Sequence, residues 1–322
     1  MNMKDNQTLY IVHAIKDHQV LSKTCSQDLN DFEDYDLAVK NLLQEEKTEA
    51  ITKDDITYVV ETIKPQPVVY IFGGGTVALP LSHLCKLCGF KVVVFDDREE
   101  FANKERFKEA DDVICEDMAK SLENYPFDDH AYFVIVTRGH LGDKECLEAL
   151  LHKKYTYLGM IGSKRKSQLL FNYLLENGYD QGQLDSVHAP IGLDIKAQTP
   201  EEIAVSILAE MIAVKNDKTI QECDLELFNH IQEPCVLCSL ILSKGSTPRK
   251  MGCKMIVYED GLIYNTIGGG TLEYETIKKA KQMFSGDETY AFLDFELSNT
   301  QAAKAGMVCG GKQQVLLEKI VK

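Results

Sequence analysis

Residues Val68–Glu99 read VVYIFGGGTVALPLSHLCKLCGFKVVVFDDRE. A short apolar run, a glycine-rich turn, an amphipathic segment and a second apolar run ending in acids follow one another. Gly73, Gly75 and Ala78 occupy the positions of a G-x-G-x-x-[G/A] fingerprint. Asp96 and Asp97 come about 20 residues after the first glycine, the usual interval. This order predicts the opening β-α-β unit of a doubly wound, Rossmann-like α/β sheet. Gly73 permits the sharp exit from the strand, and Gly75 removes a Cβ so that a phosphate can approach the backbone. Ala78 lets the helix lie close to the sheet. The free N–H groups of the first helical turn then face an anion. Asp96 or Asp97 is placed to accept from a ribose diol, and Arg98 to offset phosphate charge. NAD(P) is therefore a candidate ligand, although the same turn also serves as a plain junction between sheet and helix.

Working outward, 322 residues suffice for two domains with a small appendage. A formal charge of −15 speaks against non-specific binding of nucleic acid. No N-terminal apolar segment of the export type and no run long enough to span a bilayer is present, so a cytoplasmic location and no membrane contact are expected. Ten cysteines are then reduced thiols rather than disulfides. The C-x-x-C pairs Cys85/Cys88 and Cys235/Cys238 lie in a predicted helix and a predicted strand. Residues three apart on a strand point to opposite faces, which is poor geometry for a shared metal.

Upstream of the glycine turn, Thr8–Ile15 reads as a strand and Val20–Cys25 as its hairpin partner. A helix over Asp36–Glu45 and a strand near Ile56–Thr62 follow, before the stiff joint Lys64-Pro65-Gln66-Pro67. Downstream, strand Ala131–Val136 ends in Thr137-Arg138-Gly139-His140, and strand Tyr157–Ile161 ends in Gly162-Ser163-Lys164-Arg165-Lys166. Polar groups at successive strand ends gather along one rim of such a sheet, so Arg138, His140, Ser163 and Arg165 are candidates for one cleft. Three cations at a helix start oppose the dipole unless an anion is near, which favours phosphate contact. His188 sits in a loop as either a site residue or a structural one. Thr199-Pro200-Glu201-Glu202 caps the helix Glu201–Lys215.

After a charged interval, the chain reads as strand Cys235–Leu242, basic turn Lys244–Gly252, strand Cys253–Tyr258 and hairpin. Gly268-Gly269-Gly270 and a helix carrying Glu273 come next, then strands Thr289–Phe295 and Gln314–Glu318. Gly268, Gly269 and Gly270 before a helix again expose N–H groups to an anion, without the spacing of a dinucleotide site. Arg249 adds a donor fork. Cys309, beside Gly310 and Gly311 with Lys312 close by, is the thiol best placed to act as a soft ligand.

Several long motifs occur in consistent company. The first half carries YIFGGGTVA, VVVFDDREEFANKERF, TRGHLGDKECLEALL, YLGMIGSKRK and APIGLDIKAQTPEEIAVSILAE. The second carries SKGSTPRKMGCKMIV, TIGGGTLE and GMVCGGKQQVLLE. In these the chain resembles the XdhC/CoxI family of xanthine dehydrogenase accessory proteins. The resemblance implies a chaperone for the molybdenum cofactor (molybdopterin). Such a chaperone protects the cofactor while a separate cysteine desulfurase installs its terminal sulfur, then assists insertion into a molybdenum hydroxylase apoenzyme. It further implies that Cys309 is the cofactor-handling thiol and candidate molybdenum ligand, with Arg249, Gly268–Gly270 and Glu273 in its neighbourhood, and that the protein is a homodimer. In the commoner family arrangement the second half precedes the first. This permuted order predicts that residues 1–64 pack with residues 225–322, leaving residues 65–215 as the Rossmann-like domain. An NAD(P)-dependent oxidoreductase is the alternative, with His140 or a rim lysine as its acid/base, and a bare scaffold for the hydroxylase or desulfurase is a third.

Overall fold

The structure, a computed structural model, describes residues 7–218, 225–245, 249–296 and 311–321. The chain divides into two compact units, one formed by Met1–Pro65 with Thr219–Lys322 and the other by Gln66–Lys218.

The first unit opens with two hairpins. Strands β1 (Leu9–Lys16) and β2 (Gln19–Ser26) pair antiparallel. Their tight turn is Asp17-His18, both residues at positive φ as a two-residue hairpin loop requires. Helix α1 (Leu37–Gln44) starts where the Asp36 carboxylate accepts from the Ala38 N–H at 2.9 Å. Strands β3 (Glu49–Lys53) and β4 (Ile56–Ile63) turn at Asp54-Asp55, again with positive φ. Together they form a four-stranded sheet in the order β2-β1-β4-β3. One of its faces packs Tyr10, Val12 and Val60 against Val39 and Leu43 of α1.

The second unit is the Rossmann-like one. It runs β5 (Val68–Phe72), α2 (Ala78–Leu87), β6 (Lys91–Asp96), β7 (Asp112–Cys115), α3 (Met118–Asn124) and β8 (Tyr132–Ile135). It continues through α4 (His140–Leu150), β9 (Tyr157–Met160), α5 (Lys164–Glu176), α6 (Gln181–Asp185) and α7 (Pro200–Lys218). Every strand pair is parallel and the order is β7-β6-β5-β8-β9. The run VVYIF is apolar throughout because both of its faces are covered. Val69 and Ile71 pack with Leu81 of α2 and Ile207 of α7. Tyr70 and Phe72 pack on the other side with Leu122 of α3 and Leu147 of α4. Strand order reverses between β5 and β8, and the crevice outside their carboxyl ends is where such sheets take ligands.

The first unit resumes with α8 (Glu226–Asn229), β10 (Cys235–Gly245), β11 (Lys254–Tyr258), β12 (Ile263–Tyr264), α9 (Gly270–Phe284), β13 (Tyr290–Glu296) and β14 (Gly311–Ile320). Its antiparallel sheet has the order β12-β11-β10-β14-β13. Val236, Cys238, Leu240, Val315 and Leu317 meet Ala280 and Met283 of α9. On the opposite face Ile241 and Leu316 meet Ile15 and Val59 of the first sheet. Cys235 and Cys238 fall into different apolar clusters, as strand periodicity requires. Burial pushes both thiols above their ordinary range. No helix among the described residues is long and apolar enough to cross a membrane.

Candidate functional site

Backbone contact explains the glycines between β5 and α2. Gly73 has φ +108°, and a Cβ there would stand 2.5 Å from the Val136 carbonyl oxygen. At Gly74 a Cβ would overlap the carbonyl oxygen of Phe101, whereas at Gly75 it would meet nothing within 4 Å. The turn is thus sealed on the side of its first two glycines and open at the third. Gly74 was not singled out from the sequence, yet it makes the tighter contact. Gly75 is the position left with room for a ligand.

Two charged side chains hold this turn. Asp96, 3% exposed, accepts the Gly74 N–H through Oδ2 at 2.8 Å. The Arg98 guanidinium grips both of its oxygens, at 2.8 and 2.9 Å. Burial alone would raise the Asp96 pKa, but Arg98 and the Gly74 and Arg98 N–H groups outweigh it and hold the carboxyl below its ordinary value. The Arg98 guanidinium in turn lies 3.7 Å above the centre of the Phe101 ring. Asp96 is therefore engaged inside the protein. Of the two acids considered for a ribose, Asp97 is the exposed one, with Arg98 at 3.7 Å and Arg138 at 3.8 Å.

From the other side Arg106 donates to the carbonyls of Gly74 and Gly75, at 3.2 and 3.3 Å. In a trans peptide the carbonyl and the following N–H point in opposite directions. Drawing these two carbonyls toward Arg106 therefore turns the N–H groups of Gly75 and Thr76 away from it. Among the described residues neither N–H has a hydrogen-bond partner. They sit at the positive end of α2, a ready place for an anion. Arg106 escaped the sequence reading because it lies 32 residues from Gly74; the repeated Arg and Phe of REEFANKERF was the available signal.

Along the same rim, Thr137 donates to Asp143 Oδ1 at 2.6 Å, fixing the entry to α4, which His140 opens. Arg138 is exposed and, among the described residues, pairs with Asp97 alone. Ser163 caps α5 by accepting from the Lys166 N–H, and Lys164, Arg165 and Lys166 are exposed on its first turn. His188 pairs through Nδ1 with Glu210 at 3.3 Å. Glu210 also accepts from the Tyr157 hydroxyl at 2.6 Å and the Gly192 N–H at 2.9 Å. Burial would raise the Glu210 pKa, and these donors more than reverse it. His188 and Glu210 thus tie the 189–192 loop to α7, a pairing of distant residues with no local signature.

The second glycine cluster differs from its expectation. Gly268, Gly269 and Gly270 all have positive φ, 125°, 73° and 66°. The Glu273 carboxylate accepts from the N–H groups of Ile267 and Gly269 at 3.1 and 3.2 Å and from the Thr266 hydroxyl. Thr266 Oγ1 accepts the Gly268 N–H at 3.1 Å. Of the three glycine N–H groups expected to face an outside anion, that of Gly269 is taken by the chain's own acid and that of Gly268 by the Thr266 hydroxyl. Arg249 lies at the edge of the described residues, its carbonyl accepting from Ser243 at 2.9 Å. Gly311 begins β14 opposite Gly245. Cys309 and Gly310 lie outside the described residues.

Comparison with known proteins follows the two units. The XdhC Rossmann domain matches residues 69–211, and the XdhC and CoxI family matches residues 230–295. A probable xanthine dehydrogenase component from Bacillus subtilis is 30% identical over 156 residues, 48% of this chain and 45% of its own length. The molybdenum cofactor insertion chaperone PaoD of Escherichia coli is 32% identical over 77 residues, 24% of each chain. The chain thus spans less than half the length of these curated relatives. A crystal structure described as a xanthine dehydrogenase from Bacillus halodurans superposes with a TM-score of 0.52 at 27% identity, covering 66% of this chain and 61% of its own. With both units matched and the Rossmann-like sheet in place, the chain belongs to the XdhC and CoxI family.

Proposed function

We propose that the protein binds the molybdenum cofactor as cargo, shelters it while its terminal sulfur is installed, and passes it to a hydroxylase of the xanthine dehydrogenase type. The observation that carries this reading is the pair of N–H groups at Gly75 and Thr76, unpartnered among the described residues, beside the open face of Gly75. The cofactor's pterin carries a phosphate, and that turn suits one: no side chain fills the space, and the nearest charges are organised to aim N–H groups outward. The carboxylate of Glu273 makes the second turn the poorer phosphate site. In the family assignment Cys309 meets the metal, a soft thiol for a soft centre. Arg249 is retained as a neighbour of that thiol. The cargo supplies the client's redox chemistry, and this chain's part is to hold, orient and release it. A cysteine desulfurase and the hydroxylase apoenzyme are the proposed partners, and a homodimer the proposed assembly.

The test is mass spectrometry of the protein purified without oxygen from cells making the cofactor. A pterin retained by the wild type, reduced in Gly75→Val and in Cys309→Ser, supports the reading. NAD(P) in its place, with hydride transfer to a substrate, would establish the oxidoreductase instead. Recovery of neither, with a hydroxylase still captured in both variants, would leave a scaffold.

A further inference from the structure

The two sheets of the first unit meet through a contact that is apolar at one end, where Ile15 and Val59 pack on Ile241 and Leu316, and polar beside it. Further along the first sheet Leu9, Ile11 and Ile63 pack on Leu225, just ahead of α8. Between them β1 contributes His13 and β4 contributes Glu61, 2% and 1% exposed, while β11 contributes Lys254, also 1% exposed. Lys254 Nζ donates to Glu61 Oε1 at 2.6 Å and to Ser239 Oγ at 2.8 Å. Beside them Lys23 of β2 donates to Glu318 of β14 at 2.7 and 2.6 Å. Among the described residues Glu61 Oε2 and both ring nitrogens of His13 have no hydrogen-bond partner. Such atoms are rare in folded proteins, because a buried polar group without a partner has given up its hydration for nothing.

The orphaned atoms face one another. His13 Nδ1 lies 3.9 Å from Glu61 Oε2, too far for a hydrogen bond. We infer that this gap is a binding site for a single water molecule, which accepts from His13 Nδ1–H and donates to Glu61 Oε2. Two hydrogen bonds of about 2.8 Å span such a separation with the water set to one side of the line between the two atoms and an angle of about 90° at its oxygen. The charges around the gap select a neutral guest. An anion would face the Glu61 carboxylate, and a metal ion would sit beside the Lys254 ammonium, itself 2.6 Å from Glu61. Burial first, then Lys23 and Lys254, push the His13 pKa down to about 3, so the ring is neutral at pH 7 and offers one donor and one acceptor. The tautomer follows. With the proton on Nδ1 the donor is satisfied and only a lone pair on Nε2 goes without a partner. The opposite tautomer strands a buried N–H, the costlier orphan. The water completes a polar belt that sets how the first sheet registers on the second.

Three measurements on the full chain test this. A crystal structure that shows ordered solvent should place one peak within hydrogen-bond reach of both His13 Nδ1 and Glu61 Oε2. Nitrogen-15 spectra of the histidine-labelled chain at neutral pH should show His13 protonated at Nδ1. In a His13→Phe chain that keeps its circular dichroism, oxygen-17 relaxation dispersion should lose the signal of one long-lived water. The inference fails if the gap is empty, if His13 bonds Glu61 directly, if the proton is on Nε2, or if rubidium exchanges into the peak and marks it as a cation.

Discussion

Two glycine turns in this chain precede helices and look alike as sequence, yet they are in opposite states. At Gly73–Ala78 an aspartate binds one N–H from beneath, an arginine draws two carbonyls aside, and the N–H groups of Gly75 and Thr76 have no partner among the described residues. At Gly268–Gly270 the glutamate of the following helix folds back onto the N–H groups of Ile267 and Gly269, and the Thr266 hydroxyl takes that of Gly268. The difference teaches that an anion site needs glycines and, in addition, charges placed to keep the N–H groups unsatisfied. A carboxylate one helical turn downstream undoes what the glycines offer.

The strongest way to break the first turn is to add a methyl where the backbone has no room. Gly73→Ala forces a positive φ on alanine and a collision with the Val136 carbonyl, and Gly74→Ala collides with the Phe101 carbonyl. Each should cost about 3–5 kcal/mol of stability, the scale of severe backbone and overpacking defects. Urea titrations should show the midpoint falling sharply for both. Gly75→Ala, with nothing within 4 Å of its Cβ, should unfold close to the wild type and lose ligand retention alone. Equal destabilisation by all three would remove the distinction between sealed and open glycines.

The second turn can be made to resemble the first. Glu273→Ala removes the acceptor for Ile267 N–H, Gly269 N–H and the Thr266 hydroxyl. Partly buried donors left in this way should cost about 1–3 kcal/mol. Millimolar phosphate should then recover part of the loss in a thermal melt and do little for the wild type. An unchanged melting temperature without phosphate would show that Glu273 does not fill the turn. Arg106→Met is gentler, because the turn keeps its glycines and Asp96 while its two carbonyls lose their guide. Phosphate or diphosphate affinity measured by calorimetry should fall about tenfold, or about 1.4 kcal/mol, with the urea midpoint nearly unchanged.

Much of the first turn was legible because its determinants are local. VVYIF and VVVF are continuous apolar runs, as strands covered on both faces must be, and Gly73, Gly75 and Ala78 keep a fixed spacing. What was not legible is long-range. Arg106 reaches back 32 residues to Gly74, and Glu210 reaches back 18 to Gly192. Glu273 is visible in TIGGGTLE, and its bonds to the Ile267 and Gly269 N–H groups are of the kind an acid in a first helical turn makes as a cap. The polar edge strand Glu49–Lys53 and the short helix Met118–Asn124 carry too little periodicity to stand out. Asp36–Glu45 and Tyr157–Ile161, better patterned, were placed to within a residue or two of the observed elements.

The smallest effect is confined to strong acid and concerns Asp96 under the first turn. Its pKa in the folded protein lies below the ordinary aspartate value of 3.8, so the unfolded chain takes up the proton first as pH falls. Stability from this group is therefore fully present above that ordinary value and is lost as pH drops through the lower folded one. At neutral pH the group has no pH dependence to show. Asp96→Asn keeps the side-chain oxygen that accepts from Gly74 but removes the charge that holds Arg98. The variant should be less stable at pH 7 and show a flatter decline between pH 4 and the acid limit. A decline as steep as that of the wild type would assign the acid sensitivity to other carboxylates and leave Asp96 a purely geometric support for the turn.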